Sequence, residues 1–390
     1  MIMQLLSTER FITQGDRPEG VFPGAVSYVD EAQTILFRYG RVAASDTYDE
    51  WTDIISGDNG QGWTAPVLRH AGYDVAEGRM VYSENTALYD PHTARTLFIH
   101  DRGLRGAGMA IKQIRWELAF QQYDHATGAY AEREINSFGF SQGIMISLSR
   151  PIITAAGRAL IPAQTPVLDE AGNRKRHPDC RARALEALVI IGERDADWWR
   201  WHAGGRASLP LDVSSRGIFE PAVAELGDGR LAMICRGDNS AFPERPGFKW
   251  LCISEDAGES WGKPEPLRFA DDALLESGSN GSALFRSRKT GKLYWIGNPC
   301  LAGRRAHGNN PRAPLAIFAV REEPFALLRD SILIIDDRRR EDAAGVQFSN
   351  FRLLEERGSG DAVLFMTRLG EQSDADFRRA DLYRYRIALD

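Results

Sequence analysis

The feature that most constrains the fold is a recurring pattern. An apolar run, a turn and a second apolar run return six times, at intervals of roughly 58 to 77 residues. The copies begin at Ala25, Thr86, Ile144, Pro221, Ser282 and Phe351. Each reads as a β-hairpin, because β-branched and aromatic residues flank turn residues such as Asp228-Gly229 and Thr290-Gly291. A second pair of strand-like runs follows most copies, as in "EWTDIIS" with "WTAPVLR" and "FKWLCISED" with "SWGKPEPL". Long amphipathic helical patterns are hard to find. A four-stranded antiparallel unit repeated six times predicts an all-β fold, a six-bladed β-propeller. "TERFITQ" near the start and "ADLYRYRIALD" at the end both alternate like strands. Residues 1–390 are therefore expected to form one propeller domain whose last blade is completed by both chain ends.

A small device occurs twice. "SGDNGQGW" carries Ser56, Asp58, Gly60 and Trp63, and "SEDAGESW" carries Ser254, Asp256, Gly258 and Trp261 at the same spacing. Both fall between the third and fourth strands of a repeat. The Asp can accept backbone N–H groups in a tight turn, Gly permits the backbone, and Trp packs between blades. The further acidic ligands of a calcium loop are missing, so the device reads as structural and no metal is expected.

The chain carries 48 Lys and Arg against 54 Asp and Glu, a net charge of −6. That balance argues against nucleic acid as a partner. No apolar run approaches the ~20 residues of a membrane span. The start has no basic, apolar and small-residue leader pattern, which gives a cytoplasmic expectation. Cys180, Cys235, Cys252 and Cys300 do not pair at metal spacing and read as free thiols. The mixed-sign run Asp336 to Ala344, "DDRRREDAA", reads as a solvated loop. Trp198, Trp199 and Trp201 could stack on sugar rings, with inter-blade packing the plainer reading.

The paired device and its setting resemble the Asp-box (BNR) repeat of sialidases and their relatives. "GRALIPAQ", Gly157 to Gln164, looks like that family's third-blade strand, and "FEPAVAELGDGRLAMICR" like its fourth-blade segment. The resemblance places Glu220 at the family's catalytic Glu and Arg236 at one carboxylate-binding Arg. "NNPRAPLAIFAV" places Arg312 at another. "RYGRVAASDTYDEW" looks like the first-blade loop with the catalytic acid; Asp46 matches best, Asp49 is its rival, and Arg41 joins the candidate substrate-binding residues. Two positions depart from the family. Val21 stands where the first Arg of an Arg-Ile-Pro motif should be, and Phe348 stands where the nucleophilic Tyr should be.

The remaining chemistry still suits a sugar. Arg236 and Arg312 each offer a planar fork that matches a carboxylate. Glu220 with Asp46 or Asp49 would form the carboxyl pair of glycoside hydrolysis. His307 lies in the polar loop "GRRAHGNNPRAP" beside Arg304 and Arg305, and His100 ends a strand in "LFIHDRG". Either could serve as a base, with His100 and Arg304 also candidate substrate-binding residues, or the histidines could be hydrogen-bonded structural groups. The implied function is exo-hydrolysis of a carbohydrate bearing a carboxylate, with no cofactor. A lyase acting on uronate-containing glycans and a non-catalytic carbohydrate-binding propeller are the alternatives.

Overall fold

The computed structural model describes residues 3–42, 50–110, 113–372 and 375–389. Among these, six antiparallel sheets of four or five strands follow one another in chain order. The fold is all-β, a six-bladed propeller. Blade 1 comprises Gly20–Tyr28, Ile35–Val42, Glu50–Ser56 and Val67–Ala71. Blade 2 comprises Gly78–Asp90, Arg95–Arg105, Trp116–Asp124 and Ala129–Asn136, with the short strand Tyr73–Val75 on its inner edge. In blade 3 the inner position is split between Met145–Ile146 and Ile152–Ile153. Both pair with Ala159–Pro166, which is followed by Leu185–Asp195 and Trp198–Ala203.

Blade 4 runs Phe219–Glu225, Leu231–Arg236, Lys249–Ser254 and Glu265–Pro266. Blade 5 runs Ala283–Arg286, Leu293–Gly297 and Leu315–Glu322, and its outer position is shared by Phe325–Leu327 and Leu333–Asp336. Blade 6 joins Phe351–Glu355, Ala362–Thr367 and Leu382–Ala388 to the N-terminal strand Gln4–Ile12, which pairs Gln4 with Ala388. Sheets whose inner strands are buried on both faces need apolar residues on both, and the core sits between blades. One cluster joins Leu160, Val189 and Ile191 of blade 3 to Val223, Leu231 and Met233 of blade 4. The tryptophans of Trp198–Ala203 belong to this packing. Trp199 and Trp201 are buried against Phe120 and Ile190, which leaves them unavailable to a sugar. No helix among the described residues is long and apolar enough to cross a membrane.

The up-and-down order of each blade fixes which residues share a face of the disc. The start of an inner strand, the end of the second and the start of the third all lie on one face. The turn after the third strand lies on the other. Both Ser-x-Asp-x-Gly turns follow a third strand, so they occupy the face opposite Glu220, Arg236 and Arg312. Asp256 Oδ1 accepts the Ser254 hydroxyl at 2.8 Å and the Ser260 amide at 2.8 Å, and Gly258 N–H donates to Ser254 Oγ at 2.8 Å. Asp58 repeats the arrangement with Ser56, Gln61 and Gly62. Trp63 packs on Phe11 and Phe37 between blades 1 and 6, and Trp261 packs against the blade 3–4 cluster. Asp256→Ala is expected to cost about 1–2 kcal/mol of stability, the worth of the turn's side-chain bonds. Thermal melting and sugar titration check this together: the melting temperature falls while affinity stays unchanged.

The run Asp336–Ala344 is mostly exposed, as a solvated loop would be, but it is tied down at Asp336 and Asp342. Arg368 is fully buried, and it pairs with Asp336, with Asp342 Oδ2 at 2.8 Å and with Glu371 Oε2 at 3.8 Å. Asp342 exposes only 1% of its side chain. The run is therefore anchored from beneath by a cation that lies far from it in sequence.

Candidate functional site

Inner strands are bulged at matching places. Register shifts fall at Pro23–Val26 in blade 1, Tyr82–Asn85 in blade 2 and Phe219–Ala222 in blade 4. A bulge re-aims a side chain out of the ladder. In blade 4 the bulge holds Glu220, whose φ of 47° is left-handed and costly for a non-glycine residue. Gln164 Oε1 of blade 3 accepts the Glu220 N–H at 2.9 Å and fixes that backbone. In blade 2 the bulge holds Glu84, which Arg352 Nη2 meets at 2.9 Å.

Glu220 and Arg236 face each other across the first hairpin of blade 4. Arg236 Nη1 donates to both carboxylate oxygens of Glu220, at 2.6 and 2.7 Å. Its Nε donates to Ser279 Oγ at 2.9 Å and its Nη2 to Asn309 Oδ1 at 2.8 Å. Arg312, from the loop before the third strand of blade 5, donates from Nε to Asn309 O at 3.2 Å. Its Nη1 reaches Gln347 Oε1 and Ser349 Oγ, each at 3.0 Å. Asn309 thus joins the two arginines, with its side chain on one and its backbone on the other.

Two further basic side chains stand close by. Lys249 is opposite Arg236 in the register and fully buried. It donates to Gly278 O at 3.1 Å, to Asn280 Oδ1 at 2.9 Å and to Asn280 O. Burial and the neighbouring Arg236 push its ammonium well down. Arg216 lies over the ring of Phe219 at 4.3 Å, and Arg236 lies over the same ring at 4.6 Å. Burial pushes the Glu220 carboxyl up, but Arg236 first, then Arg216 and Arg312, outweigh it and hold the group below its usual range. Glu220 is therefore a carboxylate at neutral pH, poorly suited to donate a proton.

The other candidates are placed as follows. His100 is fully buried and not at the site. Its Nε2 lies 3.3 Å from Arg38 Nη1, in an inter-blade cluster where Arg38 also grips Asp53 at 2.6 and 2.9 Å and Tyr130 at 3.0 Å. That overturns its reading as a substrate ligand: His100 lies mid-strand in Arg95–Arg105, and its side chain faces the seam between blades 1 and 2. Arg41 sits opposite Val21 and donates to Gln14 O at 3.1 Å, tying down the N-terminal segment. His307 is exposed, and its backbone exchanges two hydrogen bonds with Asn310, at 2.9 and 3.1 Å. Arg304 is exposed and donates to Ala313 O at 3.1 Å. Asp46 and Asp49 lie outside the described residues. Val21 is fully buried in the core between blades 1 and 6. Phe348 is also fully buried, with its N–H on Arg312 O at 3.0 Å and Arg368 over its ring at 4.8 Å.

Arg216, Lys249 and Asn309 were not singled out from the sequence. Arg216 in "SSRGIF" reads as a surface arginine, and Asn309 as one more loop asparagine. Lys249 did leave a signal, a lysine at the head of the apolar strand "KWLCIS". Among the described residues, no group of three or more His, Cys, Asp or Glu side chains could hold a metal ion.

No protein-family model matches this chain, and no curated protein matches it. Solved structures do. A Hadza microbial sialidase matches 97% of this chain and 68% of its own length, at 14% identity and a TM-score of 0.66. An intramolecular trans-sialidase from Ruminococcus gnavus matches 98% and 97%, at 13% identity and a TM-score of 0.64. The chain has the fold of the sialidase-like propellers. A protein of unknown function from Dyadobacter fermentans, matched over 100% of this chain and 99% of its own at 10% identity and a TM-score of 0.64, has it too. As a sialidase-like propeller the chain is highly divergent, which accords with Val21 and Phe348 being buried where the resemblance would put a site Arg and Tyr.

Proposed function

We propose that this protein is a glycoside hydrolase that acts from the chain end of a carbohydrate whose terminal sugar carries a carboxylate. The observation that carries the reading is one ionised carboxylate, Glu220, set among Arg216, Arg236 and Arg312. A site with this surplus of cations is suited to an anionic ligand. The sialidases and trans-sialidases that share the fold add a prior for glycosidic chemistry, one that fold alone does not convert into function.

Glu220 has two roles open to it during hydrolysis. It can stand against the positive charge that grows on the sugar ring, or it can attack the anomeric carbon directly. It is not the proton donor, because its neighbours keep it ionised. Asp46 or Asp49, from the first-blade segment, is proposed as the acid that protonates the leaving oxygen. With Phe348 in the tyrosine place, Glu220 has no phenol to deprotonate, so ordinary sialosides should be poor substrates.

The test is a panel of matched aryl glycosides, each uronide beside its neutral hexoside, with sialosides and uronate-containing oligosaccharides added. Free reducing sugar without an ultraviolet-absorbing double bond supports hydrolysis. An unsaturated uronate product would establish a lyase instead, with His307 the base to test first. Binding of acidic sugars without any product would establish a binding propeller.

A further inference from the structure

Of the two arginines that the resemblance places at a substrate carboxylate, Arg236 has its Nε, Nη1 and Nη2 all directed at protein acceptors. Two of its contacts are to Glu220, the group that hydrolysis needs. A bidentate grip on a ligand would require it to give up bonds it already makes. Val21 cannot help, since it is apolar and buried. Arg312 already directs its Nε to Asn309 O and its Nη1 to Gln347 and Ser349, so a further cation is needed to complete the grip.

Arg216 has the required features. It lies four residues before Glu220, and its guanidinium rests on Phe219 beside that of Arg236. Its Nε is buried and has no hydrogen-bond acceptor among the described residues. A buried donor without an acceptor is costly, and such donors mark places where a ligand or ion completes the bonding. The nearest acidic groups are Asp238 and Glu220. Asp238 Oδ1 takes the Ser240 amide at 3.0 Å, while Glu220 is held by Arg236.

The backbone under Arg216 is fixed from several sides. Leu185 N–H donates to Arg216 O at 2.9 Å, and Ser215 N–H to Asp238 O at 2.8 Å. Ser214 Oγ donates to Gly217 O at 2.6 Å and accepts the Asp238 N–H at 2.9 Å. Gly217 has a φ of 68°, and a Cβ there would lie 2.4 Å from Leu185 O, so only glycine lets the turn seat. An arginine on so constrained a turn loses little freedom when it binds.

We propose that Arg216 is the residue that grips the ligand's anionic group, taking the carboxylate of an acidic sugar on its unsatisfied edge while Arg236 remains committed to Glu220. This rests on the reading of the site as one for acidic sugars, and it adds to Arg312 a specificity-determining contact at a residue outside the family pattern. Inorganic sulfate has a matching charge and oxygen geometry, so it should bind the same edge without any sugar.

The experiment titrates the full chain with D-glucuronate, N-acetylneuraminate, glucose and sodium sulfate, following heat and thermal stability, for the native protein, Arg216→Met and Arg216→Lys. Arg216→Met should weaken binding of the acidic sugar and of sulfate about ten- to hundredfold, the size of a lost charge-assisted bond. Arg216→Lys should recover only part, because an ammonium lacks the planar fork. It also serves as the folded control should the Met variant melt early. If acidic sugars bind both native protein and Arg216→Met equally, the Arg216 assignment falls and the proposed function stands. If only sulfate binds, and does so through Arg216, the assignment stands and the acidic-sugar function falls. If neither binds the native protein, both fall.

Discussion

Glu220→Gln is expected to reduce turnover by about 10²–10⁴-fold, the range for loss of a group acting directly on the reacting atoms. Gln keeps an oxygen for Arg236 Nη1, so the variant should fold and still bind ligand. Rate and affinity then separate: kcat falls while Kd for the acidic sugar stays within a few-fold. Glu220→Asp keeps the charge but draws it back by one methylene, and it too should be slow.

The same substitution carries a pH signature. Because the arginines lower the folded-state carboxyl below its usual range, Glu220 stabilises the native state fully at neutral pH. That contribution is lost as pH falls through the lowered folded value. The stability gap between native protein and Glu220→Gln should be widest at neutral pH and close in acid. A gap that widens on acidification would overturn the lowered carboxyl of Glu220, and full activity in the Gln variant would remove Glu220 from the mechanism.

Arg368→Met should be the most damaging change to stability. The side chain is fully buried and is the cation for Asp336 and Asp342, with Glu371 close by and Tyr385 donating to Asp336. Removing it leaves buried carboxylates facing one another without a counter-charge. Breaking a buried pair in this way costs about 3–5 kcal/mol. Urea denaturation would show the loss, and limited proteolysis should cut first in 336–344, the run that Arg368 holds. A cost under about 1 kcal/mol would mean the cluster is hydrated and contributes little, as exposed pairs do.

Much of the fold could be read from local pattern because each blade is a local object. Hairpins close over a few residues, and the two Ser-x-Asp-x-Gly turns bond within themselves. What escaped depends on contacts between blades. The inner strand of blade 3 read as a continuous run, but it is broken between Ile146 and Ile152, around Pro151, where Ser149 and Arg150 line the axial cavity. His100 read as the end of a strand because it ends an apolar run, and only Arg38 of the neighbouring blade shows that it faces a seam. The 336–344 run has the composition of a solvated loop; the buried cation that captures it lies beyond any local window.

The site divides in the same way. Glu220, Arg236 and Arg312 were reached through the family resemblance, which matches the strands and turns that carry them. Arg216 and Asn309 were not, since their roles come from the bulge at Glu220 and from a loop that blade 4 pins. Asn239 Oδ1 accepts the Gly308 N–H at 2.8 Å, and Glu276 Oε1 accepts the Ala306 N–H at 2.8 Å. Those bonds present Asn309 to Arg236, and nothing within the loop's own sequence announces them.

The most direct test of the account is the ratio of kcat/KM for a uronide over its matched neutral hexoside, measured for the native protein and for Arg312→Met. Charge recognition worth about 1.5–3 kcal/mol predicts an acid preference of about ten- to hundredfold or more in the native protein, shrinking several-fold in the variant, where Arg216 remains. Sialosides should turn over slowly in both. A native ratio near one, a ratio unmoved by Arg312→Met, or brisk sialoside hydrolysis would contradict the assignment of this face to a carboxylated sugar.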